Sequence, residues 1–167
     1  VLMKSSDPFL LMFTSGTTGP AKPLQVPLKA LVAFGRYMQD AIGLTEDDSF
    51  WNIADPGWAY GLYYGITGPL FLGHATLFYE GGFSVDNVCQ IVQEYNITNL
   101  AGAPTAYRMM MAAEPEQMAP LKDKFRVVSS AGEPLNPEVI RWFEQVLNAP
   151  IFDHYGQTEV GMVVCNH

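Results

Sequence analysis

Cysteine and long apolar runs are both scarce in this chain. Its 167 residues include only Cys89 and Cys165, which are far apart, and its three histidines do not cluster. The sequence therefore gives little indication of a disulfide framework or a metal site, and we expect a reducing, cytoplasmic compartment. No apolar run approaches the ~20 residues of a membrane span. The first residues also lack the pattern of a signal peptide.

Positive charge is scarce as well, and this limits the possible partners. Nine Lys and Arg residues stand against 17 Asp and Glu residues, which gives a net charge of −8. Nucleic-acid phosphates require clustered cations, so we expect no nucleic-acid partner. Charged residues make up 16% of the chain and hydrophobic residues 49%. This balance favours a core-rich folded chain, and the length predicts a single domain over residues 1–167.

Apolar runs of strand length alternate with helical patterns along the chain. The spacing predicts helices over Leu28–Ile42, over residues 84–95 with Ser84 as N-cap, over residues 107–113, and after Asn136-Pro137. The predicted buried strands are Phe9–Phe13, Phe50–Ala54, Ala75–Tyr79, Ile97–Ala101, Val127–Ala131 and Ile151–Phe152. This alternation predicts an α/β fold with a largely parallel sheet flanked by helices. In such sheets, ligands bind at the carboxyl ends of the strands.

The first predicted strand leads into a run of nine residues, Thr14–Lys22, with the sequence TSGTTGPAK. Glycine allows close approach of the backbone to a ligand, and clustered N–H groups, hydroxyls and an ammonium suit a polyphosphate. Such a cluster also occurs in ordinary loops. The Walker A pattern fails here, because Ala21 stands at its second glycine and Pro23 at its metal-binding hydroxyl. A P-loop kinase or GTPase is thus disfavoured.

Further polar runs follow the later predicted strands. Residues 129–135 read SSAGEPL and residues 153–159 read DHYGQTE, where burial of so many polar groups would be costly without partners. Residues 55–65 interleave aromatic rings with glycines, a pattern consistent with either core or pocket. Glycine beside the rings predicts disrupted helix packing and open space. His154 is either a solvated loop residue or part of a pocket wall.

Together these runs resemble the signatures of the adenylate-forming superfamily, which includes acyl-CoA synthetases, luciferases and the adenylation domains of peptide synthetases. Thr14–Gly19 and Lys22 match the phosphate-loop signature T-S-G-[ST]-T-G-x-P-K-G, whereas Ala21 and Pro23 depart from it. Gly132–Pro134 match G-E-P, and residues 155–159 match Y-G-x-T-E. Two further segments, D-x-G-W at 55–58 and G-A-P-x-x-Y-R at 102–108, favour AMP-forming acyl-CoA synthetases of the short- and medium-chain branch.

The resemblance implies ATP, Mg²⁺ and coenzyme A as reaction partners, with a small carboxylate as the acid. It implies roles for the matched residues: phosphate binding by Thr14, Ser15, Gly16, Thr17, Thr18, Gly19, Lys22 and Thr158; adenine and ribose binding by Gly132, Glu133, Pro134 and Tyr155; acyl or CoA contacts by Trp58, Gly102 and Gly156; and Mg²⁺ binding by Glu159. The candidates for further nucleotide contacts are Asp153, His154, Gly156 and Gln157, of which His154 lies beside the signature and is not part of it. Thr18, Lys22 and Glu159 are the candidate catalytic residues.

Substrate size is also open to prediction from the resemblance. Acetate-specific relatives carry tryptophan at the position of Gly156, so glycine there predicts an apolar acid of propionate size or larger. The chain begins and stops within apolar patterns, and we expect a piece of a longer enzyme whose C-terminal domain carries the remaining machinery. We therefore expect the 167 residues alone not to turn over. The alternatives are a nucleotide-binding module and a domain that loads a carrier protein instead of coenzyme A.

Overall fold

The computed structural model describes residues 2–14 and 19–166. Within these ranges the strands form a two-stranded antiparallel sheet, β1–β2, and a five-stranded sheet in the order β3-β4-β5-β6-β7. The strands are β1 (Pro8–Thr14), β2 (Lys22–Pro27), β3 (Phe50–Asn52), β4 (Asn99–Gly102), β5 (Val127–Ala131), β6 (Ile151–Gln157) and β7 (Gly161–Cys165). β3 to β6 are parallel and β7 is antiparallel to β6. The predicted α/β fold with a largely parallel sheet is confirmed.

The helices follow the strands in the expected alternation. They are α1 (Ala30–Asp40), α2 (Ala59–Gly61), α3 (Gly68–Phe71), α4 (Val85–Glu94), α5 (Pro104–Met111), α6 (Pro115–Met118) and α7 (Pro137–Trp142). A π-helix over Leu62–Thr67 joins α2 to α3, a 3₁₀ turn over Ala119–Leu121 follows α6, and a second π-helix over Phe143–Leu147 follows α7. No helix in the described ranges is long and apolar enough to cross a membrane.

Two predicted helix starts are confirmed in atomic detail. The Ser84 side chain accepts a hydrogen bond from the Asn87 backbone N–H at the start of α4. The Asn136 side chain accepts one from the Glu138 backbone N–H at the start of α7. Each side chain satisfies a backbone donor that the helix itself leaves without a partner.

The sheet separates two apolar cores because successive side chains on a strand point to opposite faces. Leu100, Val128 and Ile151 are in register and pack against α4, α5 and α7. Ala101 and Ala131 lie on the other face, with α1 and the helical segment 59–71. The cores hold the parallel strands between helical layers, and this arrangement fixes where the strand ends meet.

Two of the strand predictions need correction. Residues 75–79 form no strand; Phe78 and Tyr79 are exposed, and the Tyr79 hydroxyl accepts a hydrogen bond from Asn87 Nδ2 at 2.7 Å. A short apolar run does not reveal whether its backbone will find a ladder partner. Phe9–Phe13 does form a strand, but in the antiparallel hairpin with β2, and Leu11 and Phe13 are exposed.

The aromatic and glycine-rich segment after β3 also differs from expectation. Residues 59–71 are helical throughout, and Tyr60, Tyr63 and Tyr64 are buried. Gly61 permits close contact, because a Cβ there would lie 2.3 Å from the Asp55 carbonyl oxygen, and Gly61 and Gly65 also line a cavity of about 710 Å³. The three tyrosine rings therefore belong to the core, which was one of the two interpretations of this pattern, whereas the Trp58 ring is exposed.

The amino ends of the parallel strands are joined by one buried acid. The Asp48 side chain is 2% exposed. It accepts hydrogen bonds from the Thr45 backbone N–H at 2.9 Å, Thr98 Oγ1 at 2.8 Å and Arg126 Nε at 3.0 Å. Burial alone would raise the pKa of Asp48, but the hydrogen bonds from Arg126, Thr45 and Thr98 hold it well below its usual range. This cluster lies at the edge of the sheet opposite to the candidate site.

Candidate active site

Three of the motif segments meet at the carboxyl edge of the parallel strands. Gly102 at the end of β4 pairs with Ser130 on β5, and Ser130 pairs with Asp153 on β6. Parallel pairing aligns the strand ends, so the segments that follow β4 and β5 and the polar stretch of β6 lie side by side. The polar run was expected after the strand. β6 instead continues as far as Gln157 and carries Asp153–Gln157 itself.

The loop after β5 contains the predicted nucleotide-facing residues Gly132, Glu133 and Pro134, all of which are exposed. Gly132 has φ +99°, a conformation that favours glycine. The Glu133 carboxylate accepts hydrogen bonds from Arg108 Nη2 at 2.8 Å and from Thr105 Oγ1 at 2.7 Å. These two partners, Arg108 first, hold the pKa of Glu133 below its usual value. The loop is thus exposed to solvent, and its Glu133 side chain is held by hydrogen bonds from Thr105 and Arg108.

The first residues of the β6 run are partly enclosed. Asp153 Oδ1 and its register neighbour Ser130 Oγ are buried and have no hydrogen-bond partner among the described residues. Burial raises the pKa of Asp153. Backbone hydrogen bonds from Leu135 and His154 act against this rise, so the Asp153 carboxyl connects β6 to the loop after β5.

His154 is buried, contrary to its interpretation as a solvated loop residue. Its Nδ1 lies 2.7 Å from the Tyr37 hydroxyl of α1, and the two rings meet edge to face. Tyr37 was missed as a neighbour of the site because 117 positions separate it from His154. The contact ties α1, which follows the β1–β2 hairpin, to the strand that carries the Y-G-x-T-E motif.

Buried tyrosines support the turn that follows β6. The Tyr63 hydroxyl donates to the Thr158 carbonyl at 3.2 Å, and the Tyr64 hydroxyl accepts from the Met162 backbone N–H at 3.0 Å. Burial raises the pKa of Tyr60 to about 12 and also raises the pKa values of Tyr37, Tyr63 and Tyr64. The hydroxyls therefore stay protonated near neutral pH and act as fixed hydrogen-bonding groups.

The predicted phosphate and metal residues are described only in part. Ser15, Gly16, Thr17 and Thr18 lie outside the described residues. Thr14 and Lys22 pair across the β1–β2 hairpin, and Gly19 is exposed. Thr158 and the exposed Glu159 lie in the turn between β6 and β7, where they line a cavity of about 330 Å³ together with β2 and α1.

The exposed Glu159 carboxylate is compatible with a magnesium site built on a ligand. The described residues contain no group of three or more His, Cys, Asp or Glu side chains that could hold a metal ion by themselves. Mg²⁺ commonly binds through one or two carboxylates together with substrate phosphates, and does not need an all-protein cage. Glu159 at a cavity wall fits that kind of site.

The D-x-G-W segment forms a tight turn that leaves its tryptophan in solvent. Asp55 Oδ1 accepts a hydrogen bond from the Gly57 backbone N–H at 2.6 Å, and the Trp58 backbone N–H donates to the Asp55 carbonyl at 3.0 Å. Trp58 is 74% exposed. Asp55 also lines a cavity of about 710 Å³ between β3 and residues 77–84, which contains none of the residues 132–134 or 153–159. Trp58 therefore stands at the surface and not in this cavity.

Gly156 lies where β6 and β7 come closest. The pairing shifts register between Tyr155 and Gly156. A Cβ on Gly156 would lie 2.4 Å from the Gly161 carbonyl oxygen and 2.8 Å from Met162 Cα. The β7 backbone therefore occupies the space that a side chain at position 156 would need.

This contact predicts a cost for any side chain at position 156. Gly156→Ala should reduce the free energy of unfolding by about 1–3 kcal/mol, since the Cβ meets backbone that must move. Gly82→Ala is the matched control, because nothing lies within 4 Å of a Cβ at Gly82. Thermal unfolding of the two variants checks the prediction. Equal melting temperatures would show that β7 yields without cost.

Comparisons with known proteins identify similar chains and structures. An acetyl-coenzyme A synthetase of Bacillus subtilis (strain 168) is 38% identical over 167 residues, covering 99% of this chain and 29% of the relative. The crystal structure of a Brucella canis acyl-CoA synthetase superposes with a TM-score of 0.96 at 62% identity, covering 100% of this chain and 30% of that one. A malonyl-CoA ligase, in a ternary product complex with methylmalonyl-CoA and AMP bound, gives a TM-score of 0.84 at 28% identity, covering 97% and 35%.

The chain thus spans about a third of the length of these relatives. The AMP-binding enzyme family matches it over residues 1–167, which is its whole length. Three of the segments that carry the resemblance lie at the carboxyl ends of β4, β5 and β6. This chain belongs to the AMP-binding enzyme family.

Proposed function

We propose that these residues form the nucleotide-binding part of an AMP-forming carboxylate–CoA ligase. The observation that supports this most strongly is the meeting of three signature segments at one edge of the sheet, through the register of Gly102, Ser130 and Asp153. The similarity to acetyl-CoA and acyl-CoA synthetases supports it independently. The remaining two thirds of such an enzyme, including a C-terminal domain, would lie in the longer polypeptide.

The described residues suit the adenosine half of ATP. The exposed backbone of Gly132–Pro134 provides a surface for the base and ribose, and the exposed ring of Tyr155 provides a stacking face. Asp153, which is in register with Ser130 at this edge, would add a further nucleotide contact. The other residues of this run on β6 that we assign to nucleotide contacts are His154, Gly156 and Gln157.

The phosphates would lie between the β1–β2 hairpin and the turn after β6. We assign them to the hydroxyl, backbone and ammonium groups of Thr14, Ser15, Gly16, Thr17, Thr18, Gly19, Lys22 and Thr158. Bound Mg²⁺, held by Glu159 and phosphate oxygens, would neutralise charge on the phosphates. Ala21 and Pro23 lie at the exit of the loop and leave the matching residues unchanged.

In the proposed reaction the carboxylate of the acid attacks the α-phosphorus of ATP, forming acyl-AMP and releasing pyrophosphate. The thiolate of coenzyme A then attacks the acyl carbon, forms the thioester and releases AMP. The nucleophile is already a carboxylate, so no activating triad is required. The chain's own residues act by positioning and by charge stabilisation: Lys22 at the phosphates, Glu159 at the metal, and Gly132–Pro134 at the adenosine.

The acid would be apolar and of propionate size or larger, with Trp58, Gly102 and Gly156 bordering the acyl or CoA path. Gly156→Trp in the full-length protein should shift preference towards acetate. Because any Cβ at position 156 meets the β7 backbone, Gly156→Ala is the necessary control for displaced backbone. If both variants keep the wild-type chain-length profile, the proposed pocket is wrong.

The proposed function is tested by measuring pyrophosphate release from ATP with a panel of carboxylic acids, using the full-length protein. We expect release to depend on the acid, and addition of coenzyme A to yield the matching thioester. Release without thioester would favour a carrier protein as acceptor. ATP binding without release with any acid would favour a nucleotide-binding module.

The isolated 167 residues should form no thioester. A cytoplasmic location is also a prediction, and it rests on the low cysteine content.

A further inference from the structure

Three polar side chains join α5 to the loop that follows β5 and form what we call the loop clamp: Thr105 and Arg108 of α5 and Glu133 of the loop. Arg108 Nη2 donates to Glu133 Oε2 at 2.8 Å and to Thr105 Oγ1 at 2.6 Å. Thr105 Oγ1 in turn donates to Glu133 Oε1 at 2.7 Å. Each member contacts the other two, and the Glu133 carboxylate accepts hydrogen bonds from two donors that are themselves hydrogen-bonded.

The clamp acts on a loop that begins with a glycine whose backbone is free to rotate. Gly132, directly before Glu133, has φ +99°, and nothing lies within 4 Å of a Cβ placed on it. Glycine is the residue with the greatest backbone freedom, and its freedom must be restricted if the loop is to keep one orientation. The other end of the clamp is rigid, because Thr105 and Arg108 belong to α5, whose Tyr107 is fully buried and donates to the Ser129 carbonyl.

We propose that Arg108 and Thr105 are positioning residues, which hold Glu133 and thereby keep the backbone of Gly132–Pro134 in the orientation that receives the nucleotide. This inference rests on the proposed function of the site. Both residues act through Glu133 and need no contact with the reacting atoms. The ionised state of Glu133 at neutral pH agrees with this role, since hydrogen bonds from Arg108 and Thr105 hold its pKa below the usual value.

A role in positioning differs from a role in stability in what it predicts. The Arg108 and Glu133 side chains are 46% and 41% exposed, and ion pairs this exposed contribute little to global stability. Ordering a binding loop before the ligand arrives, however, directly strengthens binding. Loss of the clamp should therefore weaken nucleotide binding while leaving the melting temperature almost unchanged.

The test is Arg108→Ala in the full-length protein, compared with Arg36→Ala. Arg36 also forms an exposed ion pair, with Asp40 on α1 at 2.8 Å, and lies outside the site. We expect Arg108→Ala to raise KM for ATP and Kd for AMP about tenfold, with kcat changed less than threefold. Arg36→Ala should change none of these values. Thr105→Val should weaken AMP binding in the same direction, whereas Thr105→Ser, which keeps the hydroxyl, should restore it.

Three results would overturn the inference. AMP affinity of Arg108→Ala equal to that of Arg36→Ala would show that the clamp does not position the loop. A fall in kcat with unchanged KM would place Arg108 at the reacting groups instead. Equal AMP binding by Thr105→Val and Thr105→Ser would remove the hydroxyl from the clamp. A wild-type protein that binds AMP but releases no pyrophosphate would refute the proposed reaction alone, because the AMP constants still test the clamp.

Discussion

Asp48→Asn should destabilise the protein by about 2 kcal/mol, because the amide replaces a buried carboxylate that accepts charge-assisted hydrogen bonds from the half-exposed Arg126. The carboxylate is almost fully buried and has charged or polar donors on Thr45, Thr98 and Arg126. The amide retains one acceptor oxygen but loses the charge that Arg126 faces. Urea unfolding, with hydrogen exchange of the β3–β5 amides, measures the loss.

Asp40→Asn is the matched control, because Asp40 pairs with Arg36 in an exposed i,i+4 arrangement on α1. Its effect should stay within about 0.5 kcal/mol. A loss for Asp48→Asn no larger than that of the control would show that the buried acid is not a structural anchor.

The pH dependence of stability follows from the downward shift of the Asp48 pKa. The folded-state pKa lies below the unfolded value of about 3.9. The stabilisation is therefore fully present above the unfolded pKa and is lost as pH falls through the folded one. The stability difference between wild type and Asp48→Asn should be constant from neutral pH to about pH 5 and should shrink below about pH 4. A difference that grows on acidification would contradict this assignment.

Glu159→Gln should reduce the rate of acyl-adenylate formation about 100-fold or more, the magnitude typical of losing one electrostatic group in an active site. Glu159 is exposed in the turn after β6, at the wall of a cavity shared with β2 and α1. The amide keeps the size of the side chain and removes the charge that a hard cation requires. Rates measured over a range of Mg²⁺ concentrations should show partial recovery at high Mg²⁺.

Glu144→Gln is the control for this second prediction, because Glu144 is an exposed glutamate on the π-helix after α7, outside the signature segments. It should keep the wild-type rate and the wild-type Mg²⁺ dependence. An unchanged Mg²⁺ dependence in Glu159→Gln would remove the metal role from this residue, whatever its effect on rate.

The sequence was sufficient for features that are determined locally. The N-caps Ser84 and Asn136 could be predicted because each cap and its backbone donor lie within three residues. The run over Val127–Ala131 could be predicted as a strand because it is buried on both faces and begins with adjacent apolar residues. Local patterns of this kind need no knowledge of the neighbours in space.

The sequence was insufficient where distant parts of the chain meet. The Tyr37–His154 and Arg108–Glu133 contacts join residues 117 and 25 positions apart. No periodicity connects these pairs, and the structure alone brings them together. The sequence did not predict β2 and β7, because each forms as a strand through hydrogen bonds to a neighbour, β1 for β2 and β6 for β7. The apolar run 75–79 was predicted as a strand for the opposite reason, since it has the composition of one but forms no strand in the fold.

The most direct measurement follows oxygen from the acid to the nucleotide. The full-length protein is incubated with ATP, Mg²⁺, coenzyme A and a carboxylic acid labelled with ¹⁸O, and the nucleotide product is analysed by mass spectrometry. Attack of the carboxylate on the α-phosphorus predicts AMP that carries one ¹⁸O atom, formed together with unlabelled pyrophosphate. ADP as the product, with ¹⁸O in inorganic phosphate, would contradict an acyl-adenylate and with it the function proposed for this chain.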